Sequence, residues 1–235
     1  MRHLFVLLSL FCSISHAQEK PQKHTCRILF LERPSGAPTV LHLFDGENSQ
    51  KVELPSMNLS PVYELPAGPL NLMLLPAPPQ NPEKPPLGAP AAKVPETMTD
   101  FYLLVISDPA NKVAPVRLQV VDASTDRLRK GHTLWFNLSD LLIGGKLGDE
   151  SLIIKPGGTA VMGPPRNGAG DYPVSIAYRK AGADAHYPIC ETRWGYDPRS
   201  RSLGFIVPQA GTGIPRVMMF SDFRSESKKR VEGTP

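Results

Sequence analysis

Residues 39–54 read TVLHLFDGENSQKVEL, and this stretch decides the fold class. Thr39–Phe44 is a run of apolar and β-branched residues, and the Asp-Gly pair that ends it is a common hairpin turn. In Gln50–Leu54 apolar and charged residues alternate, which in a strand sends Val52 and Leu54 to one face and the charges to the other. The stretch therefore predicts a β-hairpin with one buried face.

Short strands of the same kind recur along the rest of the chain. The 235 residues include 26 Pro and 19 Gly, and so many helix breakers favour short strands joined by turns. No segment shows the sustained 3.6-residue period of an amphipathic helix. The run CRILFL at 26–31 is apolar almost throughout, which predicts burial on both faces. The sequence predicts an all-β protein, with further strands at 62–65, 70–74, 101–106, 116–121, 133–138, 143–148, 152–154, 159–162, 174–178, 193–196, 203–207 and 216–220.

The order of these elements is loosely repeated. Strand, loop, strand, Pro-Ala-Gly turn and strand follow one another at 26–74, and a similar order with a Pro-Gly-Gly turn occurs at 133–178. A repeated order indicates two related units, and the chain is long enough for two sandwiches of about 100 residues each. We expect one β-sandwich over 24–122, a second over 123–224, and a disordered polar tail at 225–235.

The segment 76–96 interrupts the first unit. It contains eight prolines, which lack the N–H that a ladder hydrogen bond needs. We expect an extended or disordered surface loop that does not pair in a sheet. A docking peptide for a proline-recognising partner is the less favoured alternative.

The N-terminus has the form of a secretory signal peptide. A basic start at Met1–His3 precedes the apolar run Leu4–Cys12, and small residues follow before Gln18. The pattern predicts a signal peptide at 1–17 and an extracytoplasmic protein, in the periplasm, at the cell surface or secreted. No later apolar run reaches the length of about 18 residues that predicts a transmembrane span.

Two cysteines, Cys26 and Cys190, lie outside the predicted signal peptide. An even number of cysteines in an oxidising compartment favours a disulfide, and we expect these two to be joined. The alternative is two free, buried thiols.

Four short stretches resemble a widespread family of uncharacterised secreted bacterial β-sandwich domains of immunoglobulin-like shape. They are the Pro-bearing loop Arg33–Pro38, the strand and turn Val40–Gly46, the turn Leu65–Gly68 and the strand Tyr102–Ile106. The resemblance covers about residues 26–122, and it implies no chemistry and no site residues. With the repeated order of elements, it leads us to expect two immunoglobulin-like β-sandwich domains in tandem.

The sequence contains no recognisable catalytic or metal-binding motif. Gly-x-Ser-x-Gly and His-Glu-x-x-His are absent, and the histidines lack metal-ligand spacing. We therefore expect a protein without enzymatic activity, metal or cofactor. A secreted hydrolase with Asp171 or Glu150 as its acid is an alternative, and Asp171 with His186 is the pair to test first.

Aromatic side chains give the clearest sign of a ligand. Trp135 is opposite in phase to Leu134, Phe136 and Leu138, which places it on the less buried face of its strand if those three point inward. Trp135 and Trp194 are candidate contacts for a ligand, as in a carbohydrate-binding module, and core packing is their alternative role. We expect a structural or interaction module of the cell envelope with an envelope protein or a glycan as partner. The net charge of +4 gives no reason to expect a nucleic acid.

Overall fold

The computed structural model describes residues 22–180, 182, 185–209 and 211–224, which form strands and no helix. The all-β prediction is confirmed, whereas the predicted signal peptide 1–17 and tail 225–235 lie outside the described residues. The first eight strands are β1 (His24–Leu31), β2 (Val40–Phe44), β3 (Ser49–Glu53), β4 (Tyr63–Leu65), β5 (Leu70–Leu75), β6 (Ala91–Val94), β7 (Asp100–Ser107) and β8 (Val116–Asp122). The next eight are β9 (Thr133–Asn137), β10 (Leu142–Leu147), β11 (Glu150–Ile154), β12 (Thr159–Met162), β13 (Gly170–Arg179), β14 (Tyr187–Tyr196), β15 (Arg201–Val207) and β16 (Arg216–Asp222).

The strands form four sheets of four strands each, and the second half of the chain repeats the topology of the first. We call them sheet I (β3-β2-β5-β6), sheet II (β4-β1-β7-β8), sheet III (β12-β9-β15-β16) and sheet IV (β11-β10-β13-β14). Adding eight to the strand numbers of sheets I and II gives the orders of sheets IV and III. The parallel pairs also correspond, because β1 lies beside β7 and β9 lies beside β15.

The hairpin at residues 39–54 forms as its sequence predicts. β2 and β3 pair antiparallel, and Val52 and Leu54 are buried in the first core. The side chain of Asp45 accepts hydrogen bonds from the backbone N–H groups of Glu47 and Asn48. Gly46 has a φ of 109°, a conformation that favours glycine. Turn chemistry and strand alternation therefore specify the same structure here.

Three hydrophobic cores separate the four sheets. Sheets I and II enclose the first core, the inner sheets II and III enclose the second, and sheets III and IV enclose the third. In β1, Ile28 and Phe30 point into the first core, whereas Leu29 and Leu31 point into the second. The prediction that 26–31 is buried on both faces is confirmed. The two halves of the chain therefore share one core.

A buried cluster of charges closes one end of the second core, and we call it the junction network. The Asp222 carboxylate, whose side chain is 0% exposed, pairs with Arg27, Arg201 and Arg224. It also accepts a hydrogen bond of 2.6 Å from the Tyr102 hydroxyl. These groups come from both halves of the chain, so the network fixes sheet II against sheet III.

Asp100 is the second carboxylate of the junction network. It pairs with Arg201 and Arg224 and accepts a hydrogen bond of 2.8 Å from the Thr25 hydroxyl. The guanidinium carbons of Arg201 and Arg224 lie 5.5 and 5.7 Å from the centre of the Tyr102 ring, within cation–π range. The network therefore holds three guanidinium groups against two carboxylates.

The proline-rich segment 76–96 contains a strand, so the expectation that it stays out of the sheets is wrong at its C-terminal end. β6 pairs antiparallel with β5 at the edge of sheet I. Ala91–Val94 contains no proline, so every residue keeps its N–H, and Val94 is buried in the first core. Pro90 and Pro95 bound the strand, and the loop proper ends at Pro90.

The expected disulfide between Cys26 and Cys190 is wrong, because both thiols are free. Cys26 lies in the first core, on β1. Cys190 lies on β14 and packs against the third core. The second core stands between these positions, so the stacking of sheets keeps the two thiols apart. The alternative of two free, buried thiols holds for Cys26, whereas Cys190 is free but only half-buried.

The two thiols should differ in reactivity. Burial raises the pKa of the Cys26 thiol to about 12, which leaves a thiolate fraction of about 10⁻⁴ at pH 8. Burial also raises the pKa of the half-buried Cys190. We expect a disulfide reagent to modify Cys190 in the folded protein and Cys26 only after unfolding, and Cys190→Ser to abolish the fast reaction. Absence of thiols after denaturation without reductant would contradict this account.

Candidate functional site

A cleft of about 650 Å³ opens in the second half of the chain, between β14 and β16. These are the edge strands of sheets IV and III. β14 has ten residues, whereas β6, its counterpart in the first half, has only four. The last four residues of β14, Arg193–Tyr196, all line the cleft, and Asp197 follows them directly. The long edge strand therefore supplies one complete wall.

Aromatic rings form the apolar part of the cleft. The Trp194 ring is half-buried and stacks on Trp135, with ring centres 6.3 Å apart and planes inclined by 19°. Tyr172 contacts the rings of Trp194 and Tyr196 edge-on. Met219 on β16 and Phe223 just after it also line the cleft, and Phe223 is 57% exposed. The cleft therefore has a partly exposed indole in its lining, supported by a second, buried indole.

Trp135 supports the cleft from below instead of lining it. It is 0% exposed and belongs to the third core, so its placement on the less buried face was wrong. Leu134 and Phe136 point the opposite way, as predicted, but into the second core. Both faces of β9 are covered because sheet III lies between two other sheets. The Cβ that any larger residue would add at Gly204 lies 2.5 Å from the Trp135 ring, so glycine here makes room for the indole.

Polar groups surround the rings. Asp171, Arg193 and Asp197 line the cleft together with the hydroxyls of Thr133, Ser200, Ser202 and Ser221. Arg166 fixes the start of β13 by donating a 2.6 Å hydrogen bond to the backbone carbonyl of Asp171. Hydrogen bonds from Arg199 lower the pKa of Asp197 to about 2, so this carboxylate is ionised at neutral pH. The cleft thus combines fixed acceptors and donors with an aromatic surface.

The acid–base pair suggested by the sequence is not brought together. Asp171 lines the cleft near the start of β13, whereas His186 precedes β14 and lines a different depression. β13 and β14 run antiparallel, with Asp171 opposite Gly195 and Tyr178 opposite Tyr187. Seven strand residues separate these two positions, or about 23 Å. Glu150 lies at the start of β11 and does not line the cleft.

Sequence reasoning identified Trp194 but missed the wall that β16 contributes. Val217, Met219, Ser221 and Phe223 line the cleft, and they alternate with Met218 and Phe220, which pack in the second core. Their period of two was visible in the sequence. That this face lies at an open edge was not visible, because it depends on the strand order of sheets III and IV.

Among the described residues, no three His, Cys, Asp or Glu side chains are grouped so that they could hold a metal ion. The described part of the chain also contains no helix that is long and apolar enough to cross a membrane. No family model matches the chain, and no curated protein matches it.

Proposed function

We propose that the protein is a non-enzymatic binding module of the cell envelope and that the cleft between β14 and β16 binds a glycan. The observation that carries the proposal is the half-buried Trp194 ring, held in place by its stack on the buried Trp135. A sugar ring has an apolar C–H face that packs on an aromatic face, and hydroxyls at its edge that need polar partners. The cleft offers both.

The rigidity of the site supports a binding role. Trp194 is flanked by Tyr172 and backed by Trp135, so it loses little rotamer freedom when a ligand arrives. Asp197 is already fixed by Arg199, which donates hydrogen bonds of 2.7 and 3.0 Å to its carboxylate. A ligand that meets these groups does not have to order them.

Glycan hydrolysis is the second candidate, because two carboxylates, Asp171 and Asp197, line the same cleft. A glycosidase needs one carboxyl group with a raised pKa that acts as an acid. Arg199 lowers the pKa of Asp197, which makes Asp197 a poor proton donor. Release of reducing ends from a polysaccharide, lost in Asp171→Asn, would favour hydrolysis over binding.

Two further elements of the proposal concern architecture and location. We propose that 24–122 and 123–224 are two immunoglobulin-like β-sandwich domains in tandem, supported by the repeated strand order and by a core within each half. We also propose that the protein is extracytoplasmic, supported by the signal-like sequence at 1–17. Alkaline phosphatase fused after Gln18 should be active if this leader is exported.

Trp194→Ala should weaken glycan binding strongly. On an array of hexose, amino-sugar and uronic-acid oligomers, we expect binding to one class and a loss of at least about tenfold in affinity in the variant, because a central aromatic contact contributes about 2 kcal/mol. Tyr187→Ala is the matched control, since Tyr187 is an exposed aromatic of the same strand outside the cleft. Equal binding by Trp194→Ala and the wild type would contradict the proposal.

A further inference from the structure

The depression that His186 lines has a volume of about 550 Å³ and lies on the outer face of sheet IV, across β10, β11 and β13. These strands alternate, and Ile143 and Leu152 send their side chains into the third core. The same two residues line the depression, which means that their backbone atoms form part of its floor. Among the described residues, none lines both this depression and the aromatic cleft. The depression therefore needs an explanation of its own.

Apolar groups form the centre of the depression. Gly144 on β10 lies between Ile153 on β11 and Ala177 on β13 in the register of the sheet. Ile153 is 73% exposed, and Gly144 has no side chain to cover the backbone beside it. Leu142, two residues before Gly144, extends the apolar lining toward one end. A ligand with an apolar body would gain contact with both the isoleucine and the backbone.

The packing of the protein itself does not require a glycine at position 144. A Cβ at this position would have its nearest heavy atom, the backbone oxygen of Leu152, at 3.9 Å, an ordinary van der Waals contact. A Cβ at Gly145, by contrast, would lie 2.6 Å from the backbone oxygen of Ser175. Gly144 also lacks a positive φ. A glycine inside a strand weakens it and often marks the close approach of a ligand to the backbone.

Polar groups lie at one end of the depression. Lys146 has Ser151 and Ser175 as its neighbours across the sheet, and all three residues are exposed. Nζ of Lys146 donates a hydrogen bond of 2.8 Å to the backbone carbonyl of Asp149. This bond holds the ammonium group in place without neutralising its charge. The end of the depression therefore offers one cation and two hydroxyls to an anionic group.

The charge of the whole depression is positive. Arg179 lies at the other end, opposite Leu142. In the described part of the chain, no carboxylate pairs with Lys146 or with Arg179. None of the described residues that line the depression is acidic. The apolar centre and the two cations together suit a ligand that is both apolar and anionic.

We propose that this depression binds a fatty acid, with its carboxylate at Lys146 and its acyl chain over the backbone at Gly144. The hydroxyls of Ser151 and Ser175 donate hydrogen bonds to the carboxylate oxygens, and the ammonium group adds a charge-assisted bond. The chain packs between the side chains of Ile153 and Ala177. A volume of about 550 Å³ is typical of a site for one small ligand, and an unbranched chain is slim enough to lie over a single glycine.

Calorimetric titration of the purified protein with dodecanoate, below the concentration at which it forms micelles, tests the proposal. We expect saturable binding to one site, and affinity that rises at least about twofold per methylene from octanoate to decanoate to dodecanoate. Gly144→Val fills the centre of the depression and should weaken binding at least about tenfold. Because valine suits a strand and the position has room for a Cβ, the variant should unfold at the same temperature as the wild type or higher.

Lys146→Gln tests the polar end separately and should weaken binding about fivefold to tenfold. Lys51→Gln is the matched control, because Lys51 is an exposed lysine on β3 of sheet I, and it should bind as the wild type does. No saturable binding of dodecanoate up to about 5 mM would overturn the proposal. Equal affinities for the wild type and Gly144→Val, or for all three chain lengths, would also overturn it.

Two parallel measurements distinguish other occupants of this face. The first is binding to phosphatidylglycerol vesicles, and the second is sedimentation of the protein over a range of concentrations. Binding to the vesicles without binding to dodecanoate would assign the face to a membrane surface. A dimer that Gly144→Val dissociates would assign it to a second copy of the chain. Either result would overturn the assignment to a fatty acid.

Discussion

Asp222→Asn is expected to lower the free energy of unfolding by about 3–5 kcal/mol. The wild-type carboxylate accepts from Arg27, Arg201, Arg224 and the Tyr102 hydroxyl in a site where it is fully buried. The amide has no charge to balance three guanidinium groups, and its own N–H donors face them. Urea unfolding followed by far-ultraviolet circular dichroism measures the change. Asp126→Asn, an exposed residue in the loop after β8, should change the stability by less than about 0.5 kcal/mol.

The same residue gives the protein a defined sensitivity to acid. Burial alone would raise the pKa of Asp222, but the hydrogen bonds from Tyr102 and Arg27 and the charges of Arg224 and Arg201 outweigh it and lower the pKa. Such a group stabilises the fold above its unfolded pKa of about 3.9, and this stability is lost as the pH falls through the lower folded value. Below about pH 4 the wild type should lose stability more steeply than Asp222→Asn. Parallel curves for the two proteins would contradict the role given to Asp222.

Phe205→Ala is expected to lower the free energy of unfolding by a similar amount, about 3–5 kcal/mol, because it empties the centre of the shared second core. The Phe205 ring is fully buried, stacks on Phe136 at 5.0 Å and meets Phe220 edge-on at 5.9 Å. Phe223→Ala removes the same side chain from an exposed position and should cost less than about 1 kcal/mol.

The protein carries two internal probes that show whether the halves unfold together. In the Cys190→Ser background, Cys26 reports on the first core through its reaction with a thiol reagent, and Trp135 and Trp194 report on the third core through fluorescence. We expect the two probes to give coincident transitions in urea, and Phe205→Ala to shift both to the same lower midpoint. Two separated transitions, of which Phe205→Ala moves only one, would contradict the shared core.

Local patterns predicted the strands well because each pattern has a local cause. The hairpin at 39–54 follows from alternation and turn chemistry, and the continuous burial of 26–31 follows from its apolar run. β6 was not predicted, because the eight prolines between 76 and 96 argued against any strand there. The four residues of β6 contain no proline, and each keeps the N–H that a ladder hydrogen bond needs. The order of strands in the sheets, and hence the stacking of four sheets, depends on pairings between distant residues that no local pattern reveals.

The predictions for individual residues failed for the same reason, because they depend on which sheets pack against each other. The phase of Trp135 was right, but its exposure was wrong because a second sheet covers the face that sequence reasoning left open. The Cys26–Cys190 disulfide was predicted from the oxidising compartment and the even number of cysteines. The stacking of the sheets keeps the two thiols apart. The junction network could not be predicted because its residues come from distant parts of the sequence, around residues 27, 100–102, 201 and 222–224, and meet only when sheet II packs on sheet III.

The most direct test of glycan binding in the cleft is tryptophan fluorescence of two single-tryptophan proteins. Trp135→Phe keeps only the half-buried Trp194, and Trp194→Phe keeps only the fully buried Trp135. Each is titrated with the oligosaccharide that gives the strongest array signal. The account predicts a saturable change in the emission of Trp135→Phe and weakened binding, with little change in emission, for Trp194→Phe. Equal affinities and equal spectral changes in the two proteins, or no oligosaccharide bound by the wild type, would contradict it.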